Sequence, residues 1–164
     1  MTIAPIQSAA DLAQSLDAEL GAFRNFVLML QTEQDALVQG EVDRLIDLAR
    51  LKSEKVVLLS QFAERRSRFL VAQGVDPAHD GMEKWLHRNA DQARQIGAAW
   101  SQLLEQAKLA QHLNQTNGVM IETRLVHNQQ ALAVLKAAAN QGSGLYGPDG
   151  HTRSLGLGRP LGKV

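Results

Sequence analysis

Apolar side chains recur along this chain in alternating steps of four and three, the spacing that lines up one face of an α-helix. Leu16, Leu20, Phe23, Val27, Leu30 and Leu37 form the first such seam, with polar Gln34 in the remaining slot. Ser8, just before Ala9-Ala10-Asp11, is placed to cap this helix, and Gly40 to end it in the left-handed conformation. A second helix starts at Glu41 or Val42, with Glu41 and Asp43 favourable near its positive N-terminus. It carries two adjacent seams: Leu45, Ala49, Val56, Leu59, Ala63 and Leu70 on one, Leu48, Leu51, Leu58, Phe62 and Phe69 on the other. A stripe that wide predicts two packing neighbours. Lys52 and Arg66 fall on the first seam, where burial without a partner is costly. They are expected to reach past the bundle edge into water. Gly74-Val75-Asp76-Pro77 ends the helix.

Asp80-Gly81-Met82-Glu83 has the spacing of a capping box, and Met82 to Arg88 fits either a short helix of its own or a connection. From Ala93 the four-three rhythm returns through Ile96, Trp100, Leu103, Ala107, Ala110, Asn114, Ile121, Leu125, Asn128, Leu132 and Leu135. Its phase is the same on both sides of Gly118, which predicts one continuous helix. Seven of the thirteen glycines fall after residue 140, which predicts a change from folded body to flexible tail. The fold expected is all-α: an elongated antiparallel bundle of three long helices over 1–140, with a Gly-rich tail at 141–164.

Composition narrows the chemistry. The chain has 164 residues, enough for a single domain with its own core. It has no cysteine, which excludes disulfides, thiolate metal sites and cysteine nucleophiles. Lys+Arg and Asp+Glu are both 17, so no global positive field draws in nucleic acid. No apolar run exceeds five residues, far short of a membrane span, and the first ten residues lack the charge and apolar core of a secretory signal.

The five histidines, His79, His87, His112, His127 and His151, include no pair three or four apart, so no helical metal-ligand pair forms. No cofactor is expected. His87, in Lys84-Trp85-Leu86-His87-Arg88, is the one candidate for a histidine-phosphotransfer relay, although the Lys and Gly that usually follow such a histidine are missing. The Gly-x-Gly pairs at 142–144 and 156–158 neither follow a strand nor open a helix, and so make no phosphate loop. Glu64-Arg65-Arg66-Ser67-Arg68 reads first as a solvated face and second as a contact for an acidic partner.

Three polar signals stand out. Asn114, Asn117 and Gly118 sit in mid-helix, where Asn and Gly are costly, and Asn128-Gln129-Gln130 adds another Asn on the same seam. Such residues either fix the register of the bundle or leave a polar groove open to a partner helix. The third signal is Leu145-Tyr146-Gly147-Pro148-Asp149-Gly150, which holds the only tyrosine. An aromatic in a Gly-rich segment is either an interface anchor or folded back on the body.

The blocks Leu113-Asn114-Gln115-Thr116-Asn117-Gly118, Asn128 to Lys136 and Leu145 to Gly150 resemble, in order and spacing, the C-terminal half of the FlgN family of flagellar type III export chaperones. The first two helices resemble that family only in length and leucine pattern. The resemblance implies a non-enzymatic cytoplasmic protein. It would bind hook–filament junction proteins near their C-termini, prevent their early assembly and carry them to the export gate, without nucleotide or metal. Cargo binding would fall to Asn114, Asn117, Gly118, Ile121, Leu125, Asn128, Gln129, Leu132 and Leu135. The cytoplasmic domain of the export gate would be met by Leu145, Tyr146, Gly147, Asp149 and Gly150.

Overall fold

A computed structural model describes residues 5–78 and 80–143. Four helices follow one another: α1 (Ala9–Gln39), α2 (Val42–Ala72), α3 (Gly81–Arg88) and α4 (Ala90–Ser143). No strand occurs among the described residues. Of the expected tail, residues 141–143 continue α4, and 144–164 lie outside the described residues. The chain divides into two compact units, Met1–Met120 and Ile121–Val164.

The helix ends follow local chemistry. The Ser8 hydroxyl accepts from the Asp11 backbone N–H, and the Asp11 carboxylate returns the bond to the Ser8 N–H, closing a capping box. These bonds from Ser8, with one from the Gln7 N–H, hold the Asp11 carboxyl below its ordinary value. Gly40 ends α1 at φ 76°, in the left-handed region that favours glycine. Met82 to Arg88 belongs to a separate short helix, α3. Asp80 precedes it without a side-chain cap bond and pairs instead with Lys84 at 2.8 Å. Gly81 is forced by space: a Cβ there would stand 2.5 Å from the Asp76 carbonyl oxygen. α4 passes Gly118 without a break.

In the first unit, one apolar cluster joins Leu12, Leu16 and Leu20 of α1 to Phe69 and Leu70 of α2, Met82 and Trp85 of α3, and Ile96 and Leu103 of α4. Phe69 and Trp85 meet edge-on, with centroids 5.6 Å apart. A second cluster joins Phe26, Val27 and Leu30 to Leu48 and to Ala110 and Leu113. α2 is less covered than its double stripe predicts. Only Leu48, Phe62, Phe69 and Leu70 are buried, and Leu51, Val56 and Leu58 stay exposed.

Lys52 and Arg66 do not reach out to solvent as the sequence suggests. Each closes on a buried glutamate of α1. Lys52 Nζ lies 3.0 and 3.2 Å from the Glu33 carboxylate oxygens, and Arg66 donates to both oxygens of Glu19. Glu19 and Glu33 are 2% and 4% exposed, so each cation neutralises a charge already out of water. Both pairs span fourteen residues on each helix and run in opposite order, which sets α1 and α2 antiparallel. Arg66 also lies over the Trp100 ring, 4.9 Å from its centroid, and Trp100 Nε1 donates to Glu83 Oε1 at 2.9 Å. The Arg66–Glu19 pair thereby engages all four helices.

Glu33→Ala leaves Lys52 without its counter-charge in a half-buried site. The expected loss is about 3 kcal/mol in denaturant unfolding, the usual scale for breaking a buried pair from one side. An unchanged midpoint would mean that water already serves the pair. Glu19 gives a pH signature. Burial pushes its carboxyl above the ordinary glutamate value of 4.5, against the Arg66 hydrogen bond and the charges of Arg66 and Arg65. The folded chain then holds this proton more tightly than the unfolded one, so the Glu19 contribution improves as pH falls from the folded value towards 4.5. Relative to Glu19→Gln, the parent should gain stability as pH falls through that window. A parent that loses stability relative to Glu19→Gln on acidification would contradict this assignment.

Candidate functional site

The cargo residues inferred from sequence all lie on α4, and the structure sorts them by exposure. In the first unit, Asn114 and Gly118 are exposed, and a Cβ built on Gly118 meets nothing within 4 Å. Asn117 is different. It is fully buried, and its Nδ2 donates to the Leu30 carbonyl and to Glu33 Oε2, both at 2.8 Å. Of the two roles open to the mid-helix asparagines, Asn117 takes the register-fixing one. It ties α4 to the carboxylate that already holds α2. Arg24 Nη2 donates to Gln102 Oε1 at 3.0 Å, and with the Asn117 bonds this sets α4 running the same way as α1.

In the second unit, every residue from Ile121 to Asn140 is helical and exposed. Ile121, Leu125, Leu132 and Leu135 recur at four-three spacing and are 47%, 56%, 56% and 65% exposed. Asn128 holds the polar slot of the same stripe, and Gln129 flanks it. Stripes at this spacing are the ones helices normally bury. Here the apolar side chains face water and the interspersed amides keep hydrogen-bonding capacity, an arrangement suited to an amphipathic partner segment. Leu145, Tyr146, Gly147, Asp149 and Gly150 lie outside the described residues.

Among the described residues, no group of three or more His, Asp or Glu side chains is placed to hold a metal ion. His87 is exposed in the last turn of α3, an eight-residue helix, while His112 and His127 are exposed on α4. None of the described helices is long and apolar enough to cross a membrane. Of the basic cluster on α2, Arg66 is committed to Glu19, Arg68 pairs with Glu64, and Arg65 is half-buried.

The residues that organise this unit and escaped the sequence reading are Glu19 and Glu33. Their signal was present: two acids two heptads apart on α1, facing two bases two heptads apart on α2 in reverse order.

Comparison with known proteins places the chain in a family. The family model described as "FlgN protein" matches residues 1–154. A flagella synthesis protein FlgN from Proteus mirabilis is 27% identical over 154 residues, covering 92% of this chain and 97% of that protein. One from Yersinia enterocolitica is 28% identical, covering 92% and 96%. One from Salmonella typhimurium is 29% identical over 143 residues, covering 86% and 89%. No solved structure matches. The match runs through all the described residues and on to residue 154, and on it the chain belongs to the FlgN family, a family of flagellum assembly and not a known family of enzymes.

Proposed function

We propose that this chain is a non-enzymatic, cytoplasmic export chaperone that binds hook–filament junction proteins and carries them to the flagellar export gate. The observation that carries the reading is the uncovered stripe Ile121, Leu125, Leu132 and Leu135. A C-terminal amphipathic segment of the cargo lies along it and buries its own apolar face, the helix-in-groove mode of recognition. Asn128 and Gln129 pair with cargo backbone or side-chain polar groups and set the register. Asn114 and Gly118, exposed on α4 in the first unit, are further contacts. While the cargo's apolar segment is covered, it is withheld from premature assembly.

Delivery is a second step assigned to a second element. Tyr146, with Leu145, Gly147, Asp149 and Gly150, meets the cytoplasmic domain of the export gate. An aromatic side chain carries a large contact area with few rotamers to lose, which suits a short segment to anchoring.

The two steps separate by mutation. Leu132→Asp places a charge in the stripe and should weaken calorimetric binding of a junction-protein C-terminal segment at least about tenfold, equivalent to about 1.4 kcal/mol. Its exposed position leaves helicity and unfolding midpoint unchanged. Tyr146→Ala should leave that affinity intact and weaken gate docking by about thirtyfold, from a loss of about 2 kcal/mol. If Leu132→Asp binds cargo like the parent, the cargo site is not this stripe. If Tyr146→Ala lowers the melting temperature instead, Tyr146 is a packing residue and not a gate contact.

A further inference from the structure

Val42, Ile46, Ala49, Ser53, Val56, Ser60 and Ala63 follow the four-three rhythm along a face of α2 that neither cluster of the core uses, and Ala49, Val56 and Ala63 of the first seam belong to it. All seven residues are exposed, with Ile46 66% and Val56 46% accessible. Its polar members are already satisfied. The Ser53 hydroxyl donates to the Ala49 carbonyl at 3.1 Å and the Ser60 hydroxyl to the Val56 carbonyl at 2.9 Å, so covering the seam strands neither donor.

We infer that this face of α2 binds a second copy of the same chain, antiparallel, about a two-fold axis that passes between residues 54 and 55. The seam is self-complementary about that axis. Ile46 lies opposite Ala63 of the second copy, Ala49 opposite Ser60 and Ser53 opposite Val56. The large residues of one half meet small ones of the other, as a two-fold interface demands. Charge agrees. Residues 41–54 carry four acids, Glu41, Asp43, Asp47 and Glu54, against Arg44 and Arg50, with Lys52 committed to Glu33. That leaves a half of net charge −2. Residues 55–72 carry Lys55, Arg65 and Arg68 against Glu64, with Arg66 committed to Glu19, which leaves +2. Antiparallel pairing sets each half against its opposite, whereas parallel pairing sets like on like. The inference stands apart from the cargo stripe, which lies on α4.

The chain has no cysteine, so cross-linking can be directed without background. Full-length Ala49→Cys and Ser60→Cys chains are mixed and oxidised. The antiparallel register brings these two positions within disulfide reach. It holds two copies of position 49 about 16 Å apart along the axis, beyond the roughly 7 Å limit. The mixture should therefore cross-link at least about tenfold more than either variant alone. Sedimentation velocity of the unmodified chain, over about a hundredfold range of concentration, should show a dimer that Ile46→Glu abolishes with helicity retained. Ala49→Cys cross-linking by itself as well as in the mixture would overturn the antiparallel register. A monomer at every concentration, with no cross-link in the mixture, would overturn the pairing itself.

Discussion

Glu33 is the constraint on which the first unit depends. Its carboxylate is almost wholly out of water, so it needs both positive charge and hydrogen-bond donors. Lys52 of α2 supplies the charge and Asn117 of α4 a donor, both to the same carboxylate. Asn117 also donates to the Leu30 carbonyl, so α4 is pinned to the backbone of α1 as well as to its side chain. Apolar seams built from Leu and Ala tolerate slippage by a heptad, because one leucine replaces another. A charge with designated partners does not, since any other register leaves it buried and unpaired. The cost of this specificity is visible in Asn117 Oδ1, which is buried with no hydrogen-bond partner.

Two heptads towards the N-terminus of α1, Glu19 repeats the device with other partners. Arg66 neutralises it while its guanidinium lies against Trp100, and Trp100 in turn reaches Glu83. The short helix α3 is held by this chain and by Trp85 against Phe69. With its register set at two separated levels, the first unit leaves α2 an apolar face that the core does not need. The stripe on α4 is the proposed cargo surface, and the seam on α2 the inferred contact between copies.

The sequence made the long helices legible because their signal is local. Ser8 with Asp11 starts α1 and Gly40 ends it, as their spacing foretells. The continuity of α4 across Gly118 could be read from the unbroken phase of Ile96 through Leu135. What stayed hidden was pairing across helices. Lys52 and Arg66 look like misplaced surface residues until Glu19 and Glu33 are seen to face them. A charged residue on α1 is read as solvent-facing when α1 is considered alone. Asn117 likewise belonged equally to a groove or to a register lock, and only the position of Glu33 separates the two. The stripe from Ile121 to Leu135 was legible as amphipathic, but no periodicity tells whether such a face is covered.

The claim that this uncovered stripe is the working surface is open to a direct measurement: hydrogen–deuterium exchange of the full chain, with and without the C-terminal segment of a hook–filament junction protein. Bound cargo should slow amide exchange across residues 121–135, where the free helix has few tertiary contacts to protect it, and leave α1 and α2 unchanged. Slowed exchange confined to α1 and α2, with 121–135 exchanging as in the free chain, would contradict the account.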